Sequence, residues 1–161
     1  MANRDRPKGF SPHGKIISAN VYEAGSTIAP GEFVRMASDG QLDAVAAGET
    51  ILGLSLGYAT VGQAILVSDA PEQRYVGQAD ETELDAQTDI GNNCDVVATA
   101  DNTTYKTSRM EIDSSTVTAG AAQLTILGLE QRPDNAFGEF ASVIVRIAEH
   151  QITGVDAFGG V

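Results

Sequence analysis

Thr50–Asp69 reads TILGLSLGYATVGQAILVSD, and Thr125–Leu129 repeats its first five residues, TILGL. Each copy is followed by a turn-rich interval and a second apolar run: Ala64-Ile65-Leu66-Val67 after the first, Val143-Ile144-Val145 after the second. Short apolar runs rich in β-branched residues and bounded by turn formers read as buried strands. A lone Gly inside such a run marks a bulge or the close approach of another backbone. Gly53 and Gly128 are therefore each expected to do one or the other. The two units are either duplicates or two unrelated strand pairs. In both readings these four runs form the core, with Leu52 and Leu127 buried, and none of them carries chemistry.

Outward from these runs, the rest of the chain gives more short strands. Residues 16–23 (IISANVYE) are β-branched and aromatic. Glu32–Ala37 alternates, with Phe33 and Arg35 on one face and Val34 and Met36 on the other. Ala29-Pro30-Gly31 is a turn, since Pro fixes φ and Gly tolerates positive φ. Ser38-Asp39-Gly40-Gln41 is a hairpin signal, with Leu42–Val45 as the return strand. Gln73–Gln78, Asp95–Ala98, Ala122–Leu129 and Ala141–Ile147 follow, and a further strand near Tyr105–Ile112. Leu84–Ile90 has room for one or two helical turns. Asp113-Ser114-Ser115-Thr116 supplies side-chain oxygens that compete for backbone donors and predicts a turn. No segment sustains helical periodicity. The expectation is an all-β fold: a sandwich or barrel of short strands, or two small β-lobes. Residues 1–15 form an extended basic arm, 16–75 the first lobe, 76–152 the second, and 153–161 a Gly-rich C-terminal tail.

The 161 residues carry a net charge of -12. Residues 1–15 hold Arg4, Arg6, Lys8 and Lys15 against Asp5 alone, about +3. The remainder is therefore about -15. Such acidity opposes nucleic-acid binding, which needs clustered cations. A basic arm on an acidic body suggests docking on an acidic partner. Cys94 is the only cysteine, so an intrachain disulfide is impossible and a reducing compartment fits. No apolar run approaches the roughly 20 residues that span a bilayer, and the N-terminus lacks a signal-peptide core. A soluble protein made in a cytoplasm is expected.

Catalytic and metal signals are sparse. His13 and His150 are the only histidines. With one cysteine they do not make an ordinary four-ligand zinc site. A Cys94/His150 nucleophilic pair is formally available, but Cys94 reads as a small buried apolar residue and His150 as a satisfied edge residue. The acidic run Asp80, Glu81, Glu83, Asp85, Asp89 lacks the central Gly of a calcium loop and reads as a solvated acidic loop. Gly53, Gly57 and Gly62 do not have dinucleotide-binding spacing. No enzyme activity and no cofactor are expected.

The order of segments resembles the decoration, or cement, proteins on the capsids of tailed bacteriophages. The resemblance runs over residues 9–152. It is carried by Gly9-Phe10-Ser11-Pro12, Ala29-Pro30-Gly31-Glu32-Phe33-Val34 before Asp39-Gly40, Ile51-Leu52-Gly53-Leu54, and Ile65-Leu66-Val67-Ser68-Asp69-Ala70-Pro71-Glu72-Gln73. Ile126-Leu127-Gly128-Leu129, Pro133-Asp134-Asn135 and Val143-Ile144-Val145-Arg146-Ile147 with His150-Gln151 complete it. The tail TGVDAFGGV has no place in that pattern.

The resemblance implies a structural virion protein. It would be made in the bacterial host cytoplasm and bind the outer capsid surface, where it bridges neighbouring major capsid protein subunits. It would self-associate as a dimer or trimer, without nucleic acid or membrane. Arg4, Arg6, Lys8, Phe10 and Phe158 are the expected partner contacts. A strand at 16–23 or 141–147 is expected to extend a partner's sheet. Deleting residues 1–14 should leave a folded β-protein. The alternative is another virion β-module, such as a head-fibre base or a carbohydrate-binding adsorption domain.

Overall fold

A computed structural model of the chain describes residues 3–80, 84 and 87–153. The elements in order are β1 (Ser11–Pro12), β2 (Ala19–Glu23), β3 (Phe33–Met36), β4 (Leu42–Ala44), β5 (Gly53–Ser55) and β6 (Ala64–Ser68). After these come β7 (Arg74–Gln78), a 3-10 turn (Gln87–Asp89), β8 (Asn93–Val97), β9 (Glu111–Thr118), β10 (Leu124–Leu129) and β11 (Ser142–Ile147). They build two antiparallel sheets packed as an all-β sandwich. One sheet has the order β2-β6-β5-β3-β4, the other β1-β7-β11-β10-β8-β9.

The two sheets are topological copies. Replacing β2, β3, β4, β5 and β6 by β7, β8, β9, β10 and β11 converts the first order into the second, with β1 added outside β7. The closing contacts repeat as well. Ala24, just after β2, bridges Leu42 in parallel, and Ala79, just after β7, bridges Ile112 in the same sense. Gly25 N–H donates to Leu42 O at 2.7 Å, and Asp80 N–H to Ile112 O at 3.0 Å. Ile28–Ala59 and Leu84–Gly138 form a second matching pair of bridges. Each sheet thus curls until the end of its first strand meets the strand at the far edge.

The shared pentapeptide does not itself superpose. Ala24 corresponds to Ala79, so Ser68 (opposite Ala19) corresponds to Arg146 (opposite Arg74). Their partners across the sheet are Leu54 and Thr125. The TILGL copies lie in corresponding strands but out of step, and their glycines behave differently. A Cβ on Gly53 would lie 2.2 Å from Ser68 O, so this is a close backbone approach. At Gly128 the register shifts and the strand bulges. Leu52 is 1% exposed, but Leu127 is only half-buried, which corrects the expectation that both fill the core.

The described residues form two apolar clusters. Ala24, Ile28, Val34, Leu42, Leu52, Ala59, Ile65 and Val67 fill the inside of the curled first sheet. A larger cluster joins Phe33, Ile51 and Leu54 of the first sheet to Tyr75, Leu124, Ile126, Val143 and Val145 of the second. The alternation of Phe33 and Val34 in β3 serves the two clusters in turn, as a strand with two buried faces requires.

Phe10 also belongs to the larger cluster, at 4% exposed. Its ring centroid lies 4.4 Å from that of Phe33, which stands edge-on to Tyr75 at 5.3 Å. A Cβ on Gly77 would lie 2.2 Å from the Phe10 ring, so the absence of a side chain at 77 makes its seat. Phe10 N–H donates to Gly31 O at 2.9 Å, and Ser11 and Pro12 pair with Val76 and Tyr75. The arm is therefore extended but anchored in its own subunit. Removing residues 1–14 would take a ring out of the core and a strand off the second sheet, contrary to the sequence-based expectation.

Other expectations also need correcting. The Asp113–Thr116 turn lies inside β9. Its side-chain oxygens do bond locally: Ser115 N–H donates to Asp113 Oδ1 at 3.1 Å and Thr116 Oγ1 to Asp113 O at 2.7 Å. The result is an irregularity opposite Asn93–Asp95 in the pairing with β8. A lobe boundary at 75/76 falls within β7, and β11 lies between β7 and β10, so 142–147 is no free edge.

Urea titration should show Leu52→Ala losing about 2–5 kcal/mol and Phe10→Ala about 3–5 kcal/mol, with Leu127→Ala well below either. Equal losses at Leu52 and Leu127 would contradict this assignment of the core.

Candidate partner-binding surface

The arm presents its cations in a regular way. Arg4, Arg6 and Lys8 are exposed, while Gly9 and Phe10 are buried. An extended chain puts alternate residues on one side, and all three cations line one groove of about 130 Å3 along β7 and the 130–142 loop. Asn3 holds the arm's start to that loop: its Nδ2 donates to Ala136 O and Glu139 O, both at 2.8 Å, and its Oδ1 accepts Ala136 N–H at 3.0 Å. Gln78 accepts Arg6 N–H at 2.9 Å and donates to Asp5 and Glu111.

Arg132, on the far wall, is paired with Glu130 at 3.3 Å and Asp134 at 3.5 Å. Among the described residues, Arg4, Arg6 and Lys8 have no ion partner within the chain. They form a small positive ridge on an acidic protein. Of the expected partner contacts the structure brings these three together. Phe10 is already occupied in its own core, and Phe158 lies outside the described residues.

A second surface feature is the outer side of β2. Val21 is 67% exposed and its cross-strand neighbour Leu66 43% exposed. The sequence marked this strand but could not show which of its sides is covered.

Several buried polar groups bind one curled sheet to the other, and the sequence did not mark them as a set. Gln123 is fully buried: its Nε2 donates to Ala46 O and Glu49 O, and its Oε1 accepts Val96 N–H. Gln151 Oε1 accepts Met36 N–H and its Nε2 donates to Met36 O, as a strand neighbour would. Within the first sheet, Asp69 accepts hydrogen bonds from Ser18, Asn20 and Tyr22. Burial works to raise its pKa, but the bonds from Tyr22, Asn20 and Ser18 prevail and bring it below the usual value.

His150 Nε2 lies 3.0 Å from Asp69 O and its Nδ1 accepts Ile152 N–H. A carbonyl only accepts, so Nε2 carries the proton and the ring is neutral. Burial lowers its pKa accordingly. Its ring nitrogens are both committed, as a satisfied structural residue requires. Cys94 is buried, and desolvation, then Asp95 and Asp113, push its thiol up to about 12. It would be a poor nucleophile. Among the described residues no group of three or more His, Cys, Asp or Glu is placed to hold a metal ion, and no helix is long and apolar enough to cross a membrane. In the acidic run, Glu81, Glu83 and Asp85 lie outside the described residues.

Glu32 is 3% exposed. It faces Asp101 in an open cavity of about 460 Å3 between the 29–32 turn and the 98–110 loop. Burial, then the hydrogen bond to Asp101, raises its pKa to about 8, against a weaker pull from Ala29 N–H. The protonated carboxyl can donate to Asp101, which ties the loop of the second sheet to a turn of the first.

Comparison with protein-family models and with characterised proteins finds no match to this chain.

Glu32 makes a signed pH prediction. Its folded pKa, about 8, exceeds the ordinary 4.5, so the folded state holds the proton more tightly. That contribution is complete below pH about 4.5 and is lost as pH rises to about 8. His150 acts in the opposite sense below its ordinary range, so the comparison is with a variant. Thermal melts from pH 5 to pH 8 should show Glu32→Gln gaining stability relative to the parent as pH rises. Parallel curves would show that Glu32 is ionised throughout.

Proposed function

We propose that this chain is a capsid decoration protein of a tailed bacteriophage. In this reading it binds the outer surface of the shell and bridges neighbouring major capsid protein subunits. The observation that carries the reading is the ridge of Arg4, Arg6 and Lys8, held along a groove and without ion partners among the described residues, on a body of opposite charge. Unpaired cations at alternate positions offer an acidic partner a row of charge-assisted contacts. The ordered segments over residues 9–152 supply the resemblance.

A doubly cored sandwich suits a mechanical role. Force on the arm would be carried through Phe10 to both sheets. Many identical weak contacts on a shell add through multivalency, and the acidic body keeps decorated particles dispersed. Localisation on the virion exterior and synthesis in the bacterial host cytoplasm follow from the same reading.

The alternative, a carbohydrate-binding virion module, draws on Tyr105, 76% exposed, since sugar sites stack rings on open aromatics. The neighbouring Tyr58 ring is already covered by Lys106 Nζ at 4.8 Å.

The test is co-sedimentation with expanded capsids, with Arg4, Arg6 and Lys8 replaced together by Glu. Phe10 stays in place, so the fold should survive. Binding should fall at least tenfold, and the residual binding should respond less to salt. Undiminished binding would remove the ridge from the interface. A parent protein that leaves the shell bare but is retained on glycans would favour the alternative.

A further inference from the structure

The open cavity beside Glu32 has no part in the cationic ridge. Its volume, about 460 Å3, lies within the roughly 300–1,000 Å3 of ligand clefts. Val45 and Met110, both buried members of the larger apolar cluster, line it on one side. Tyr58, 38% exposed, is its aromatic lining residue. Glu32 and Asp101 bring two carboxyl groups to it, and among the described residues that line it there is no Arg or Lys.

The loop that carries Asp101 is held in shape. Asn102 Oδ1 accepts the N–H groups of Thr104 and Tyr105, both at 3.1 Å. Asn102 also exchanges backbone bonds with Thr107, at 2.9 and 3.3 Å. Lys106 in this loop has a φ of 53°, in the left-handed region, and its Nζ stands 4.8 Å from the Tyr58 ring centroid. The chain's own cation therefore reaches Tyr58 without lining the cavity.

Charge decides what fits there. Two carboxyls that share a site do not both ionise without a cation. Glu32 meets this by keeping its proton: burial, then the hydrogen bond to Asp101, hold its pKa at about 8. Its other neighbours are neutral. Ala29 N–H donates to its Oε2 at 3.0 Å, Ser55 of β5 accepts its N–H at 3.3 Å, and the Tyr58 phenol lines the same cavity. A cation on an apolar stem complements both the carboxyls and the wall.

We propose that this cavity is a socket for one arginine side chain of a partner protein, with the guanidinium forked onto Glu32 and Asp101 beside the Tyr58 ring. Arginine fits better than lysine because its planar fork matches paired carboxylates and stacks on aromatic faces. Its methylene stem can lie along Val45 and Met110. As the guanidinium enters, Glu32 loses its proton to solvent, and two carboxylates then face the cation. Lys106, exposed and without an ion partner among the described residues, is free to leave the ring for solvent. The inference goes beyond the decoration reading and does not rest on it.

The test needs no capsid. The probe is Nα-acetyl-L-arginine methylamide, titrated into the purified full chain at constant ionic strength and followed by the methyl NMR signals of Met110 and Val45. Both should shift saturably, with half-saturation in the millimolar range expected of so small a ligand. Affinity should rise about tenfold from pH 6 to pH 7, and calorimetry at pH 7 should find about one proton released per probe bound, because the folded pKa is about 8. The citrulline analogue, a neutral isostere, should shift neither signal. Glu32→Gln keeps a donor for Asp101 and should melt like the parent at pH 6. At pH 8 it should bind the probe at least tenfold more weakly, with a flat pH profile. No saturable shift, or an affinity indifferent to pH and to Glu32→Gln, would overturn the proposal. Calcium ions reproducing the shifts and the proton release where the arginine probe does not would overturn it in favour of a metal site.

Discussion

The structure depends on one aromatic contact made by three distant parts of the chain. Phe10 from the arm lies against Phe33 of the first sheet, and Phe33 meets Tyr75 of the second edge-on. Aromatic pairs of this geometry contribute about 0.5–1.5 kcal/mol beyond their burial. The Tyr75 hydroxyl donates to Ser68 O at 3.0 Å, tying the second sheet back to the first. Burial, partly offset by the Ser68 bond, raises this phenol to about 12, so it stays protonated and remains a donor across the physiological range. Gly77 is the steric condition for the cluster, because a side chain there would occupy the ring's place.

Around this contact the chain uses one strand order twice. The first copy buries one apolar cluster within its own curl, and the apolar residues of the second join Phe33, Ile51 and Leu54 of the first in a single larger cluster. The joint also has a polar component. Gln123 and Gln151 reach across with both ends of their amides satisfied, which lets polar side chains be buried at little cost. Glu32 does the same as a neutral acid facing Asp101. These groups specify how the sheets meet, since an apolar layer alone would tolerate sliding.

The two edges that correspond in the repeat are treated differently. β7 is covered at Tyr75 and Val76 by the chain's own arm, whereas among the described residues β2 pairs only with β6 until Ala24, where Leu42 closes the sheet. The arm that covers one edge also sets out the cationic ridge, so the same residues finish the second sheet and present charge to the outside. The folding of the arm and the display of its charges are one structural event.

Much of this was legible in the sequence. The apolar runs, the Asp39-Gly40 hairpin and the Ala29-Pro30-Gly31 turn depend on local sterics and on a period of two. For that reason β2–β8, β10 and β11 lie where the pattern puts them. The net charge of the arm was legible from composition, but not its display, which depends on Phe10 being inside. The repeated TILGL pointed to a real repeat through residues that do not superpose, because corresponding strands share composition more readily than register. Glu32 and Gln123 gave no signal, since a buried polar residue is marked by partners far along the chain. The sequence by itself determined which stretches become strands and where they turn. Tertiary structure alone decided which strands are neighbours, which edge is covered and which ring sits in the core. Strand pairing is made between residues remote in the chain, and no local pattern encodes the partner.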